Sequence, residues 1–361
     1  MAAKAVENAF MRLDDRLEIL TVNALNYISP ILEKVILKTY MGVVKNNPDL
    51  WEFLYDNSKI KNRLSKFREF AHRLNSSKLV DLVKEFRPDA IICTQAYPCG
   101  VLSQLKESEG LDAPLIAVVT DFVVHSYWML DTVDSFIVPT EASLERLEAS
   151  GIFRERVHVL GIPVDPSFNR ILDRRLLRKW YGIEEKRSVV LIMGGGQGLL
   201  PIRDIVMSLQ EVTKPIHIIA VTGRNHNLKS KLESIQKKCR TPLTITGYVN
   251  EIDALMEVSD LLISKPGGLT SAEALSKRLP MLIYKPLPGQ ESKNSEYLVK
   301  QNAAVKIDHI DEIPRVVQKV FSDEKLLTSL HEHIDRIRKP HAAMDIARKV
   351  LELAHVEVPA L

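Results

Sequence analysis

Ser264-Lys265-Pro266-Gly267-Gly268-Leu269-Thr270-Ser271-Ala272-Glu273 follows the apolar run Leu261-Leu262-Ile263. The run reads as a strand, the Pro-Gly-Gly step as a turn, and Thr270 to Leu275 as the helix that comes next. A glycine turn that opens a helix is an anion cradle. Its unpaired backbone N–H groups point at the ligand, and the helix dipole favours negative charge there. The segment therefore predicts a nucleotide diphosphate ligand at the carboxyl end of a strand in an α/β sheet.

Working outward, short runs rich in Val and Ile alternate with helical patterns along the whole chain, the signature of parallel sheets covered on both faces. A first series reads Leu17 to Val22, Ala90 to Thr94, Leu115 to Thr120, Ser135 to Val138 and Val157 to Leu160. A second reads Val189 to Met193, Ile216 to Val221, Leu243 to Thr246, Leu261 to Ser264, Met281 to Tyr284 and Ala304 to Ile307. The prolines of Gly161-Ile162-Pro163-Val164-Asp165-Pro166 suit an extended connector. The prediction is two tandem doubly wound, Rossmann-like domains, 1–163 and 164–335. A final helix in 336–361 packs back on the first domain.

With 361 residues, 45% hydrophobic and 26% charged, the chain has room for two cores, and disordered and fibrous classes are excluded. A net charge of +3 does not call for nucleic acid, and none is expected as a partner. Cys93, Cys99 and Cys239 form no metal-ligand spacing and read as idle thiols of a reducing cytoplasm. No apolar stretch approaches the roughly 20 residues that span a bilayer, so any membrane contact is expected to be peripheral.

Several other strand-end loops carry polar chemistry. Gly194-Gly195-Gly196-Gln197-Gly198 follows a strand and reads either as a turn that brings backbone close to a ligand or as a packing turn. Glu273 lies about one helical turn beyond the cradle, where its carboxylate can accept hydrogen bonds from both hydroxyls of a ribose; the alternative is a solvated helix residue. Arg224, in Thr222-Gly223-Arg224-Asn225, can face phosphate. Tyr248 and Val249 can hold a base through their backbone, and Pro288-Gly289-Gln290-Glu291-Ser292-Lys293-Asn294 offers amide and carboxylate groups to sugar hydroxyls.

These loops, SKPGG, TSAE and PGQE above all, resemble the monogalactosyldiacylglycerol synthase and processive diacylglycerol glucosyltransferase family over nearly the whole chain. The peptidoglycan-precursor N-acetylglucosaminyltransferase is a more distant match. The resemblance implies the two-domain glycosyltransferase architecture called GT-B, a UDP-hexose donor and a diacylglycerol acceptor. It implies that Gly267, Gly268, Leu269 and Thr270 hold the diphosphate; Ser264, Lys265 and Pro266 ahead of them, with Gly195 and Gly196, complete the candidate donor-binding residues. Glu273 would take the ribose, Tyr248 and Val249 the uracil, Arg224 the phosphates, and Gln290 and Glu291 the hexose.

In the first half, Thr120-Asp121-Phe122-Val123-Val124-His125-Ser126-Tyr127-Trp128 is similar to the family's TDF-xx-H-xx-W element. Asp121 and His125 are candidates for acid–base work, with a structural histidine as the alternative, and Trp128 offers an apolar face to a lipid or sugar. Gln95 is a candidate cleft contact, with a plain turn the alternative. From Lys59 to Lys78, Ile60, Leu64, Phe67, Ala71 and Leu74 fall at helical spacing beside Lys61, Arg68 and five further cations. Such a helix suits an anionic membrane surface, and equally a packed helix with a solvated basic face. The expected location is cytoplasmic, peripheral on the inner face of the membrane.

Family members begin with a strand and a glycine-rich loop ending in Gly-His. Ala2-Ala3-Lys4-Ala5 instead resembles the helix just after that loop, which points to a start one strand late. No Asp-x-Asp pair occurs in the chain, so no metal or other cofactor is expected. The expected reaction is inverting transfer of glucose or galactose. The rival expectations are a UDP-sugar-binding regulator and a relative acting on a polyprenyl-linked sugar or epimerising a UDP-sugar.

Overall fold

The computed structural model describes residues 1–29, 42, 77–194 and 200–356. The chain divides into two compact units: Met1–Pro166 with Leu287–Gln290 and His341–Leu361, and Ser167–Pro286 with Glu291–Pro340.

The first unit contains α1 (Ala2–Leu13), α2 (Ala24–Ile28), α3 (Ser77–Phe86), β1 (Ile91–Cys93), α4 (Ala96–Glu109), β2 (Leu115–Val118), β3 (Ser135–Val138), α5 (Glu141–Ala149) and β4 (Val157–Val159). The four strands are parallel and lie in chain order, with Ile116 opposite both Ile92 and Ser135. Strand period two sends neighbours to opposite faces. Leu115, Ala117, Phe136 and Val138 pack with buried residues of α4 and α5, while Ile116, Val118 and Ile137 pack with α1 and the C-terminal helix Ala342–Leu353. Ala5 and Ala9 of α1 meet Ala343 and Ala347 of that helix in one buried cluster. Small side chains one turn apart let the two backbones approach closely.

Leu17 to Val22 is not the strand its alternation suggested. It carries no regular secondary structure; Leu17 and Ile19 pack on the cluster that contains α1, but no strand pairs with the segment among the described residues. Alternation reports an extended segment with one face buried; a ladder also needs a neighbour.

The second unit contains α6 (Arg174–Trp180), β5 (Ser188–Met193), α7 (Ile202–Ser208), β6 (Ile216–Val221), α8 (His226–Gln236), β7 (Leu243–Thr246), α9 (Ile252–Val258), β8 (Leu261–Ser264), α10 (Gly268–Ser276), β9 (Met281–Tyr284), α11 (Gln290–Lys300), β10 (Ala304–Ile307), α12 (Glu312–Ser322) and α13 (Glu324–Ile337). Its six parallel strands run in the order β10-β9-β8-β5-β6-β7. The winding reverses between β5 and β8, the place where an open α/β sheet leaves a crevice at its carboxyl edge. Met193 pairs with both Ser264 and Val221, and Val221 with Thr246, so these strands end level and release their loops along one edge. The α/β class with two parallel sheets expected from the sequence is the class observed.

Candidate functional site

The loop after β8 sits at the reversal point and is tied down on both sides. Ser264 is fully buried and its hydroxyl donates to the Met193 carbonyl at 2.8 Å, so this side chain serves the sheet. Asn294 of α11, also fully buried, donates from Nδ2 to the Pro266 carbonyl at 3.1 Å. That bond occupies an amide the sequence offered to sugar hydroxyls. Gly267 caps α10 with φ −63 and ψ 140, a conformation open to any residue, and a Cβ built there meets nothing within 4 Å. Neither backbone strain nor packing requires glycine at this position, and the space beside it stays open for a group that approaches the backbone.

The N-terminus of α10 is uncompensated by its own sequence. No side chain caps it and its first turn holds no acid, so the N–H groups following Gly267 and the positive end of the dipole are available to an anion. Glu273 lies in the next turn, only 7% exposed, which removes the reading of a solvated helix residue. Lys265 is buried as well, with Nζ 3.9 Å from an oxygen of Glu291. Burial pushes its ammonium below the ordinary lysine range, and the Glu291 carboxylate opposes that shift. Glu291 and Gln290 open α11 directly after Gly289, whose φ of 86 turns the chain where other residues are strained. The structure thus brings Lys265, Pro266, Gly267 and Glu291 together at one loop pair.

Beyond β6 and β7 the exits are also fastened to each other. The backbone N–H and the hydroxyl of Thr222 both donate to the Thr246 carbonyl, at 2.9 and 3.0 Å. Asn225 caps α8 by accepting from the Leu228 N–H at 2.9 Å. Between these anchors the Arg224 guanidinium lies over the Tyr248 ring, 5.2 Å from its centroid. Tyr248 is largely exposed and Val249 half-buried.

In the first unit the loop 120–128 leaves β2 and is pinned by the start of α5. Thr140 Oγ1 and Ser143 Oγ both donate to the Phe122 carbonyl at 3.0 Å, and Ser143 Oγ accepts from the Val124 N–H at 3.1 Å. The sequence reading missed these two residues; a Thr directly ahead of a helix, with Ser three places later, was the available signal. Asp121 is half-buried, and His125 is buried with its ring edge-on to Tyr127 at 5.6 Å and tilted to Trp128 at 6.1 Å.

Trp128 does not offer a face to an acceptor. It is 2% exposed and belongs to the core that contains Phe136 and Leu147, because the one-turn 3-10 helix Ser126–Trp128 directs it inward. Gln95 is exposed at the N-cap of α4 and makes no capping bond through its side chain. Gly195, Gly196, Lys61, Arg68 and the basic segment from Lys59 through 76 lie outside the described residues. Among the described residues no group of His, Cys, Asp and Glu is arranged to hold a metal, and no helix is long and apolar enough to cross a membrane. Cys93 and Cys99 are buried together, and the Cys93 thiol is pushed up by its hydrogen bond to Cys99 and by burial.

Residues 1–164 match the family model for monogalactosyldiacylglycerol (MGDG) synthase and residues 189–350 that for the glycosyltransferase family 28 C-terminal domain. A processive diacylglycerol beta-glucosyltransferase of Bacillus licheniformis is 30% identical over 331 residues, 91% of this chain and 85% of that protein. Two solved structures share the fold at 15% identity. A UDP-GlcNAc 2-epimerase from Neisseria meningitidis bound to UDP-GlcNAc has a TM-score of 0.59, covering 77% of this chain and 80% of that one. MurG of Acinetobacter baumannii has a TM-score of 0.57, covering 79% and 80%. With two parallel-sheet units of GT-B architecture and that identity along nearly its whole length, the chain belongs to the processive diacylglycerol glucosyltransferase and MGDG synthase family of glycosyltransferases.

Proposed function

We propose that this chain transfers a hexose from a UDP-hexose to the hydroxyl of diacylglycerol, with inversion, and makes a membrane glycolipid. The observation that carries the reading is Gly267: a glycine that neither φ nor packing demands, at the start of an uncapped helix with no acid in its first turn. A diphosphate fills that role. The N–H groups of Gly268, Leu269 and Thr270 face its oxygens, and Lys265 adds an ammonium whose charge the neighbouring Glu291 carboxylate supports against burial. Glu273 accepts from the ribose hydroxyls, and Gln290 and Glu291 serve the hexose.

In the transfer, the acceptor oxygen attacks the anomeric carbon, the bond from that carbon to the β-phosphate oxygen breaks, and the electron pair leaves with UDP. Charge grows on the diphosphate, where the preorganised N–H groups and the α10 dipole stabilise it most. The acceptor proton passes to a base in the first unit, for which Asp121 and His125 are the candidates. Charge neutralisation by helix and lysine, together with a sequence that contains no Asp-x-Asp pair, favours a reaction that needs no metal. The enzyme would work peripherally on the cytoplasmic face of the membrane holding its lipid.

The name of the Bacillus licheniformis relative favours glucose over galactose. The test is incubation of the protein with diacylglycerol vesicles and either UDP-glucose or UDP-galactose, with the lipid products resolved by mass spectrometry. A hexosyl-diacylglycerol is expected, and UDP-sugar binding with no lipid product would refute the reading.

A further inference from the structure

Residues 170–180 of the second unit fix one side of a short segment inward and leave the other unused. Arg170 Nη2 donates to Asp253 Oδ2 at 2.8 Å, and Arg174 Nη2 donates to Asp260 Oδ1 at 2.6 Å and to the Val258 carbonyl at 3.2 Å. The buried Arg178 donates to the carbonyls of Glu184, Glu185 and Arg187. Arg174 and Arg178 thereby set the rotation of α6, and Arg170 ties down the segment ahead of it.

On the opposite side of α6 Leu176 is 65% exposed and Trp180 is 84% exposed, and Ile171, ahead of the helix, is fully exposed. Leu176 and Trp180 stand four apart on α6 and so share a face. Arg175 and Lys179, also four apart, are exposed beside them and make no ion pair among the described residues. Two of the acids in the neighbouring sequence have partners of their own, while Glu185 is exposed. Asp173 Oδ1 accepts from the N–H groups of Arg175 and Leu176 as the cap of α6, and Glu184 pairs with Arg187 and Lys186.

An indole and two aliphatic side chains flanked by two unpaired cations match the chemistry of an anionic bilayer interface. The ring and aliphatic groups enter the headgroup boundary while long cationic side chains stay at the lipid phosphates. We propose that Ile171, Leu176 and Trp180, with Arg175 and Lys179, form a surface that seats the second unit on an anionic lipid bilayer. The proposal rests on the reading of the acceptor as a bilayer lipid, and it assigns membrane contact to the unit that carries the donor loops.

The test is co-sedimentation of the full chain with vesicles of phosphatidylglycerol and phosphatidylcholine, and with phosphatidylcholine alone. Leu176→Ser with Trp180→Ser, and separately Arg175→Glu with Lys179→Glu, are each expected to weaken binding to the anionic vesicles by about tenfold or more. Vesicles whose acyl chains carry bromine should quench the wild-type tryptophan emission, and Trp180→Phe should remove most of that quenching.

Undiminished vesicle binding by both double variants would overturn the proposal. So would a shift from dimer to monomer on Leu176→Ser with Trp180→Ser in the absence of vesicles, which would give the face to a second copy of the chain. Hexose transfer to diacylglycerol in detergent micelles separates this surface from the reaction. Unchanged micelle activity in the variants supports the surface. A wild type that makes no glycolipid, yet whose vesicle binding follows these residues, would refute the acceptor reading and leave the surface standing.

Discussion

The two sheets teach different lessons about where a site can be read. In the second, the winding reverses between β5 and β8, so chain exits on the two sides of that seam diverge and leave an opening at the carboxyl edge. The polar loops of the sequence fall on that edge, and three of them are fastened to a neighbour by Ser264, Asn294 and Thr222. In the first sheet the four described strands follow in chain order. Its chemistry-bearing loop folds back onto α5, and its aromatics go into the core or against one another. Topology builds the loop cluster of the second sheet, whereas the loop of the first depends on individual side chains.

The largest expected effect tests the first-sheet side. Loss of a general base costs roughly 10²- to 10⁴-fold in rate. Asp121→Asn keeps the shape of a half-buried side chain and should lower kcat by that amount while UDP affinity, measured by calorimetry, stays unchanged. His125→Ala removes a buried ring from beside Tyr127 and Trp128 and should lower Tm as well as activity. If His125→Ala lowers kcat more than Asp121→Asn and leaves Tm where it was, the two roles are reversed, and the buried ring is chemical rather than structural.

A smaller and more specific effect belongs to the second sheet. Glu273→Ala should weaken UDP binding by roughly 1–3 kcal/mol, the cost of losing a charged hydrogen-bond partner. The variant should keep the kcat of the wild type once donor is saturating. Equal affinity in a calorimetric titration would withdraw the ribose from Glu273 and leave it a buried helix residue.

How far the sequence could be read follows the same division. The second-sheet strands from Ile216 to Ile307 were legible to the residue because each is a short apolar or β-branched parallel strand bounded by turn chemistry, as in the buried Leu261–Ser264 before Pro266-Gly267. Leu17 to Val22 misled because side-chain alternation cannot reveal whether a partner strand lies alongside. Trp128 misled for a related reason: an aromatic at a strand end suits a ligand face and a core equally, and only the 3-10 turn at Ser126 decides. At the site, glycine and acid positions were visible, yet the sequence did not show that the Ser264 hydroxyl and the Asn294 amide donate to the Met193 and Pro266 carbonyls. Sequence displays donors and acceptors without showing which are already used.

The smallest effect distinguishes a direct phosphate contact from a positioned one. Arg224 was expected to face phosphate, and the structure lays it over the Tyr248 ring. A cation–π contact at an exposed site is worth about 0.5–1 kcal/mol, so Tyr248→Leu should weaken UDP binding by about two- to fivefold. The informative measurement is the double-mutant cycle with Arg224→Gln. If the ring serves to hold the guanidinium where the diphosphate needs it, removing Arg224 costs less affinity once Tyr248 is gone, and the cycle yields a coupling close to the whole effect of Tyr248→Leu. If Tyr248 instead meets the base independently, the two losses add, and the pair at the ends of β6 and β7 is two separate contacts.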